Sequence, residues 1–566
     1  MTVAPSNQVP AHPFFDRHRE TLERALTACR ERAYWTPYPE SPRAYGEGGP
    51  DEGRPAFEGY LGRDFPIEGP GAATRVGDER SPYGFDLRIG YPHADVESLV
   101  GAARSGLAGW RDAGPHTRAG VCLEILDRIN KRSFEMAHAV MHTTGQAFAM
   151  AFQAGGPHAQ DRGLEAVAYA FAEMTRHPRT ASWEKPQGRR DPLRMTKSYT
   201  VVPRGVALVV GCNTFPTWNG YPGLFASLAT GNPVVIKPHP RAVLPLAITA
   251  AIAREVLADA DFDPNLVCLA AEAPDEGLAS VLATRPEVRI VDFTGSTAYG
   301  DWLEVHARQA QVYTEKAGVN TVVVDSTDDL AGLARNIAFS LSLYSGQMCT
   351  TPQNILIPRE GVTADGERRS FDDVAGAIAG AVEALLRDDA RAVEILGAIA
   401  NEGVLRRLEK AGELGDAVLP ARAIEHPGYP DATVRTPLIV RLDAADEHLY
   451  GEEHFGPVAF AVATDGTGHS LDIFRRTIQA QGALTASVYS TDEAVLRAAE
   501  DAALDAGVHL SCNLTGGVYV NQSAAFSDFH ATGANPAANA CLTDTAFVAG
   551  RFRVVQSRRH VVDGVG

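Results

Sequence analysis

Cys349 sits in the stretch SLYSGQMCTTPQNILIP, flanked by Gly346 and Gln347 and followed by Pro352. Cysteine is usually a buried small hydrophobe, and alone this one reads as a packing or surface thiol. A polar, glycine-punctuated loop just beyond a helix is also where a thiol is both exposed and rigidly held, as a nucleophile must be. Glu315, in VYTEKAGVN, stands at a break between two apolar runs. There a carboxylate suits a general base, and equally an ordinary strand end. Glu452 and Glu453 lie in GEEHFGPVAF, whose Phe-Gly-Pro enforces a turn before a strand. Lys237 closes the apolar run VVIK. In FTGSTAYG, Gly295 and Gly300 flank the start of a helix after a strand, a geometry suited to phosphate although the pattern is not GxGxxG. Each feature has an ordinary structural reading when taken singly. Their company along one chain carries the weight.

The elements that must position these residues follow from periodicity. From about Asp95 to Arg176 the pattern is helical. From Tyr199 onward, YTVVPRGVALVVG, NPVVIKP, NLVCLA and EVRIVDFTG read as strands. The segments LPLAITAAIAREVLADA, PDEGLASVLAT and TAYGDWLEVHARQA between them read as helices. This alternation predicts an α/β fold with a parallel, dinucleotide-binding type of sheet. A second α/β region begins at NTVVVD and runs to roughly Thr515. In its helix DLAGLARNIAFSLSLY, Leu330, Leu333, Ile337, Leu341 and Tyr344 share one face, and Gly346 is suited to ending it. Cys349 then lies between that helix and the strand NILIP. The first 80 or so residues, rich in Pro, Gly and aromatic residues, suggest an irregular arm wrapped on a core.

Bulk properties bound the function. The chain has 566 residues, 45% hydrophobic and 22% charged, which suits a soluble protein of more than one domain. A formal charge of −18 argues against nucleic acid or an anionic membrane as the main partner. No apolar run reaches the roughly 18 residues of a membrane span, and the N-terminus lacks a signal-peptide core, so a cytoplasmic location is expected. The seven cysteines are scattered without CxxC or metal-ligand spacing, so reduced thiols and no metal site are expected.

Taken in order, these motifs resemble the NAD(P)-dependent aldehyde dehydrogenase superfamily, closely from about Tyr199 to Pro457 and more loosely from about Ser81 onward. The resemblance implies a Rossmann-type cofactor domain, an α/β catalytic domain and an oligomerisation arm. The implied boundaries are an N-terminal extension over 1–80, a cofactor domain over 81–317 with its arm at about 184–201, and a catalytic domain over 318–515. A C-terminal segment, 516–566, would return to the cofactor domain and the oligomer interface. By the same resemblance, Lys237 binds adenosine, Gly295, Ser296 and Gly300 form the phosphate turn, and Glu453 holds the nicotinamide ribose with Phe455 beside the ring. Cys349 would attack an aldehyde and carry a thioester after hydride transfer, and Glu315 would activate the hydrolytic water.

Several positions depart from the family pattern. Its usual oxyanion asparagine is replaced in GCNTFPTWNG by Thr214, so either Thr214 substitutes or Asn213 reaches in from a shifted turn. The family's usual Pro-Phe-Gly-Gly near the C-terminus gives way to NQSAAFSDFHATGANPAANA, with Asn521, Phe529 and His530. The residue three beyond Lys237 is Pro240, where NAD-preferring relatives place a glutamate, and His239 and Arg241 flank it. NADP is therefore expected, with NAD as the alternative. These departures resemble the phenylacetic acid degradation branch of the superfamily. That branch implies a ring-opened, CoA-linked semialdehyde as substrate and a separate hydratase for ring opening, while the superfamily's pairing arm, with QGRRDPLRMTKSYTVV placed to supply it, implies a homodimer or multiple of dimers. The competing readings are a CoA-acylating or general aldehyde dehydrogenase, a cysteine hydrolase using His530 or His454, and an inert protein of the same fold.

Overall fold

The computed structural model describes residues 11–46, 48–316, 318–519 and 525–561, so Asn521 lies outside the described residues. Two parallel arrangements dominate. The first is a five-stranded sheet in the order Val267–Leu269, Val234–Lys237, Val206–Val210, Val288–Gly295, Gln311–Lys316, parallel throughout. Its strands are apolar on both sides because helices cover both faces. Ala207 and Val209 point into one core, and Val206, Leu208 and Val210 into the other. That split is the period of two expected of a buried strand.

The second is a seven-stranded sheet ordered Asp416–Leu419, Leu438–Asp443, Val458–Thr464, Asn354–Pro358, Thr321–Val324, Thr485–Tyr489, His509–Cys512. All neighbours run parallel except the first pair. Val322 and Val324 face one layer and Val323 the other. A third, antiparallel sheet joins Phe552–His560, Arg190–Pro203 and Thr180–Gln187. A buried, two-pronged ion pair fastens the C-terminal segment to the five-stranded sheet. Arg551 donates to Asp292 at 2.5 and 2.8 Å and to the Ser227 hydroxyl at 2.7 Å.

Three sequence expectations change. The run YTVVPRGVALVVG is two strands in two sheets, divided at Arg204 and Gly205. Gly205 has φ 149°, and a Cβ there would meet the Arg289 side chain at 2.6 Å, so the chain turns at the one residue able to do so. The helix before Cys349 ends at Ser342, short of Gly346. The N-terminal segment is substantially helical, over Pro13–Arg17, Arg19–Glu31 and Gly48–Glu58. Phe14, Phe15, Leu22 and Ala25 pack into the core beneath the five-stranded sheet. Among the described residues, no helix is long and apolar enough to cross a membrane.

Candidate active site

In the five-stranded sheet the chain leaves the central strand Val206–Val210 in one direction and returns on its other side. A crevice must open outside the carboxyl ends there. The seven-stranded sheet turns the amino ends of Thr321–Val324, Asn354–Pro358 and Val458–Thr464 toward the same place. A cavity of about 710 Å³ fills the gap, lined by Cys349, Glu315, Lys237, Glu453 and Phe455 among others. Asn213, Thr214, His239, Gly295 and Ser296 also line it, whereas Arg241 and Gly300 do not. Arg241 is exposed, and Gly300 is buried against the Lys316 stem.

The loop that carries Cys349 is fixed from below. Tyr344, Ser345 and Gly346 take left-handed φ values of 54°, 50° and 63° in succession. Each non-glycine residue there costs about 1 kcal/mol or more, so the surroundings must hold the turn. Ser345 donates to the carbonyls of Leu396 and Arg435, and the Gln347 amide spans Tyr344, Ala398 and Ala400. Gly346 lies so near Gly456 that a Cβ would sit 2.5 Å from its carbonyl oxygen. Asn320 donates to the carbonyls of Cys349 (2.8 Å) and Thr351 (3.0 Å).

The expectation of an exposed thiol is corrected: Cys349 is half-buried within the cavity wall. Burial first, and then the neighbouring Glu315, push the thiol well above its ordinary range. At rest it is a neutral S–H, with Sγ within 4.8 Å of a Glu315 carboxylate oxygen. Both Glu315 oxygens have further donors: Asn219 Nδ2 reaches Oε2 at 2.9 Å and His530 Nε2 reaches Oε1 at 3.0 Å. Burial alone would raise the Glu315 carboxyl. His530 and Arg162 outweigh it and hold the group below its ordinary value, hence ionised.

At the other end of the cavity Lys237 is paired with Glu272. Burial lowers the lysine to about 8, with Glu276 pulling the other way. Glu272 and Asp275 line the same wall. Burial, then Lys237 and Arg241, lower His239 to about 4, so its ring is neutral. Gly295 and Ser296 open the helix Thr297–His306, with Ser296 as its cap. Glu453 is raised by burial to about 7 against the pull of Arg407, whose Nε holds the Phe455 carbonyl at 2.8 Å. A cation, a capped helix start and a carboxylate along one cavity are the donor set a dinucleotide requires.

The Asn213 amide donates to the Thr143 carbonyl at 3.4 Å, and its Oδ1 is buried without a partner among the described residues. One of its two N–H donors is thus directed elsewhere. Thr214 is positioned through its carbonyl, which accepts from Gln146 at 2.8 Å.

The aldehyde dehydrogenase family model matches residues 91–535. The chain belongs to the aldehyde dehydrogenase family. It is therefore an oxidoreductase of aldehydes that works with a nicotinamide cofactor. A solved structure of an NAD-dependent aldehyde dehydrogenase from Burkholderia multivorans is 59% identical, with a TM-score of 0.97 over 98% of this chain and 100% of that one. Vanillin dehydrogenase of Pseudomonas sp. (strain HR199 / DSM 7063) is 26% identical over 431 residues, 75% of this chain and 82% of that protein. N-succinylglutamate 5-semialdehyde dehydrogenase of Burkholderia cenocepacia is 28% identical over 382 residues, 65% of this chain and 72% of that protein.

Sequence reasoning missed Asn219, Glu272, Arg407 and Gln347, and named His530 only as a departure or as a hydrolase partner. A faint signal existed for Asn219, a polar residue in the otherwise apolar first turns of the helix Pro216–Ala229. Nothing near His530 in sequence points to Glu315, 215 positions away.

Proposed function

We propose that the chain oxidises an aldehyde to a carboxylic acid through a thioester on Cys349, released by water that Glu315 activates. The observation that carries this reading is the ionised Glu315 carboxylate against the Cys349 thiol, in the cavity that continues to Lys237. Glu315 takes the thiol proton as sulfur attacks the carbonyl carbon, giving a thiohemiacetal oxyanion, and releases that proton to solvent before hydrolysis, so that the carboxylate is free again. The bound nicotinamide supplies the hydride acceptor. Lys237, Gly295, Ser296 and Glu453 would hold it, with Phe455 beside the ring. Hydrolysis follows: Glu315 accepts a proton from water, a C–O bond forms, and the C–S bond breaks with sulfur leaving as thiolate. The Thr214 hydroxyl and the Cys349 backbone N–H are the proposed oxyanion donors.

The base favours hydrolysis over transfer to CoA. A cysteine hydrolase needs an imidazole on the thiol, yet His530 directs Nε2 to Glu315 and His454 directs Nε2 to the Leu449 carbonyl. For the cofactor, the NADP expectation rested on Pro240 in place of a glutamate, with His239 or Arg241 to pair with the phosphate. A neutral His239, an outlying Arg241, and Glu272 and Asp275 on the same wall disfavour a 2′-phosphate, so the proposed cofactor is NAD. The proposed substrate is a ring-derived semialdehyde carrying a CoA thioester, as in phenylacetate degradation, with ring opening by a separate hydratase. The resemblance of the sequence departures supports it. Seven free thiols fit a cytoplasmic location.

Reduced-cofactor formation across free and CoA-linked aldehydes, with NAD and with NADP, tests the reading. Turnover with NAD, lost in Cys349→Ala with cofactor binding intact, supports the activity. Hexanal reacting as well as a CoA-linked semialdehyde removes the substrate assignment and leaves a general aldehyde dehydrogenase.

A further inference from the structure

The C-terminal loop that replaces the family's usual sequence brings His530 into the catalytic centre. The imidazole is buried, its Nε2 lies 3.0 Å from Glu315 Oε1, and its edge meets the Trp218 ring at a centroid distance of 4.6 Å and 87°. The Arg162 guanidinium lies over Trp218 at 3.8 Å. It is fully buried, and its Nη1 has no hydrogen-bond partner among the described residues. The loop is tied on both sides of the imidazole. The His530 carbonyl accepts from the Leu542 N–H at 3.2 Å, and the Ala531 carbonyl meets His509 Nε2 at 2.8 Å.

We infer that His530 is a positioning residue for the base, holding Glu315 jointly with Asn219 as an ionised carboxylate turned on Cys349. The inference rests on the reading of Glu315 as the base. An ionised carboxylate has no hydrogen to give, so at 3.0 Å the imidazole Nε2 carries the proton and donates it. A carboxylate almost fully removed from water would otherwise hold its proton at neutral pH. Two donors and one nearby cation replace the lost solvation. The fixed geometry also leaves the carboxylate few alternatives: Asn219 takes one oxygen, His530 the other, and the thiol is the remaining partner.

The charged and titratable groups facing this pair come from four elements. Arg162 lies on the helix Ala159–Thr175, Cys349 in the nucleophile loop, Cys212 after the strand Val206–Val210, and His509 at the start of the strand His509–Cys512. Both thiols are raised by burial, Cys212 to about 11, and stay neutral through the working range. Burial also lowers His530 itself against the pull of Glu315, which keeps the ring a neutral donor. Loss of His530 therefore acts on Glu315, whose ionisation shifts upward. The acid limb of the turnover profile must move with it.

The test compares His530→Ala, His530→Gln and Glu315→Gln by pre-steady-state NADH formation, by the pH profile of kcat, and by intact-protein mass during turnover. In His530→Ala the acid limb should move up by about one unit or more, turnover should fall about tenfold at the pH of the wild-type acid limb, and acyl-enzyme should accumulate there. NAD affinity should stay unchanged. His530→Gln, which keeps an N–H donor without a titrating ring, should restore most of the turnover. Should the alanine variant fail to fold, His530→Phe removes the donor while filling the space beside Trp218. A folded donor-less variant with the wild-type acid limb and no acyl-enzyme, while Glu315→Gln stalls, overturns the role of His530 alone. Steady turnover in Glu315→Gln overturns the base reading, and this inference with it.

Discussion

Thr214 tests the oxyanion site at the level of one hydroxyl. If it donates to the developing oxyanion, Thr214→Ala should lower kcat/KM by the equivalent of about 3 kcal/mol with aldehyde, and leave NAD binding unchanged. An unaffected rate constant would assign the donor elsewhere. Glu453 makes a pH prediction. Burial raises it to about 7, and if it holds the ribose, its ionised form accepts hydrogen bonds from both hydroxyls more strongly than the protonated acid does. Its ionised fraction grows about tenfold between pH 6 and pH 8. The dissociation constant for NAD, followed by protein fluorescence, should therefore fall by a comparable factor as pH rises. The rise should be lost in Glu453→Gln, leaving only the weakening that comes as Lys237 loses its charge near pH 8. The same shift has a stability consequence of opposite sign. A carboxyl whose folded value lies above its unfolded value favours the folded state at low pH, and that contribution is lost as pH rises from about 4.5 to about 7.

Elements translate these residues into a site, and they were legible unevenly. Strand-helix alternation was readable because buried parallel strands are nearly continuous apolar runs, as in VVIK and VRIVDFTG. The early end of the helix before Cys349 was not. Tyr344 keeps the helical apolar spacing, and its left-handed backbone is imposed by distant partners, among them the Thr144 carbonyl that accepts its hydroxyl. The Gly205 break was equally hidden, since it depends on Arg289 in a neighbouring strand. Helices in the N-terminal segment were obscured by its Pro and Gly content, yet they reach the site. Arg32, which caps one of them, places its guanidinium 3.9 Å over Phe529, next to His530, while holding Glu165 and Tyr169. Trp35 meets Phe526 at 5.4 Å. Arg32→Ala should therefore lower turnover severalfold through the His530 loop while the melting temperature falls little. Steady-state assay and calorimetry on one preparation separate the two effects. A loss of stability without loss of turnover would make this contact purely structural.

At the scale of the molecule, two sheets meet end to end. The carboxyl edge of one and the amino edges of the other enclose the cavity, so residues separated by hundreds of positions become neighbours. Spacing along the chain suggested Cys349, Glu315, Lys237 and Glu453 because each lies at a strand end or a turn. It gave no access to Asn219 or His530, whose roles arise from where the domains close on each other. The three-stranded antiparallel sheet leaves Leu193, Val554 and Val555 exposed. Exposed apolar residues on a strand surface fit an interface with a second copy, in keeping with the dimer that the resemblance implies. Val555→Asp should then shift the species seen by light scattering toward the monomer. An unchanged mass would place the interface on another face.

The most direct test of the thioester account uses Glu315→Gln mixed with aldehyde and NAD, quenched at intervals and digested for mass spectrometry. The account predicts NADH and an acyl group on the peptide that contains Cys349 in equal amounts, rising to one per active site more slowly than in the unaltered protein because the thiol has lost its proton acceptor, and then a stall. NADH formed with no acyl group on Cys349 would contradict it.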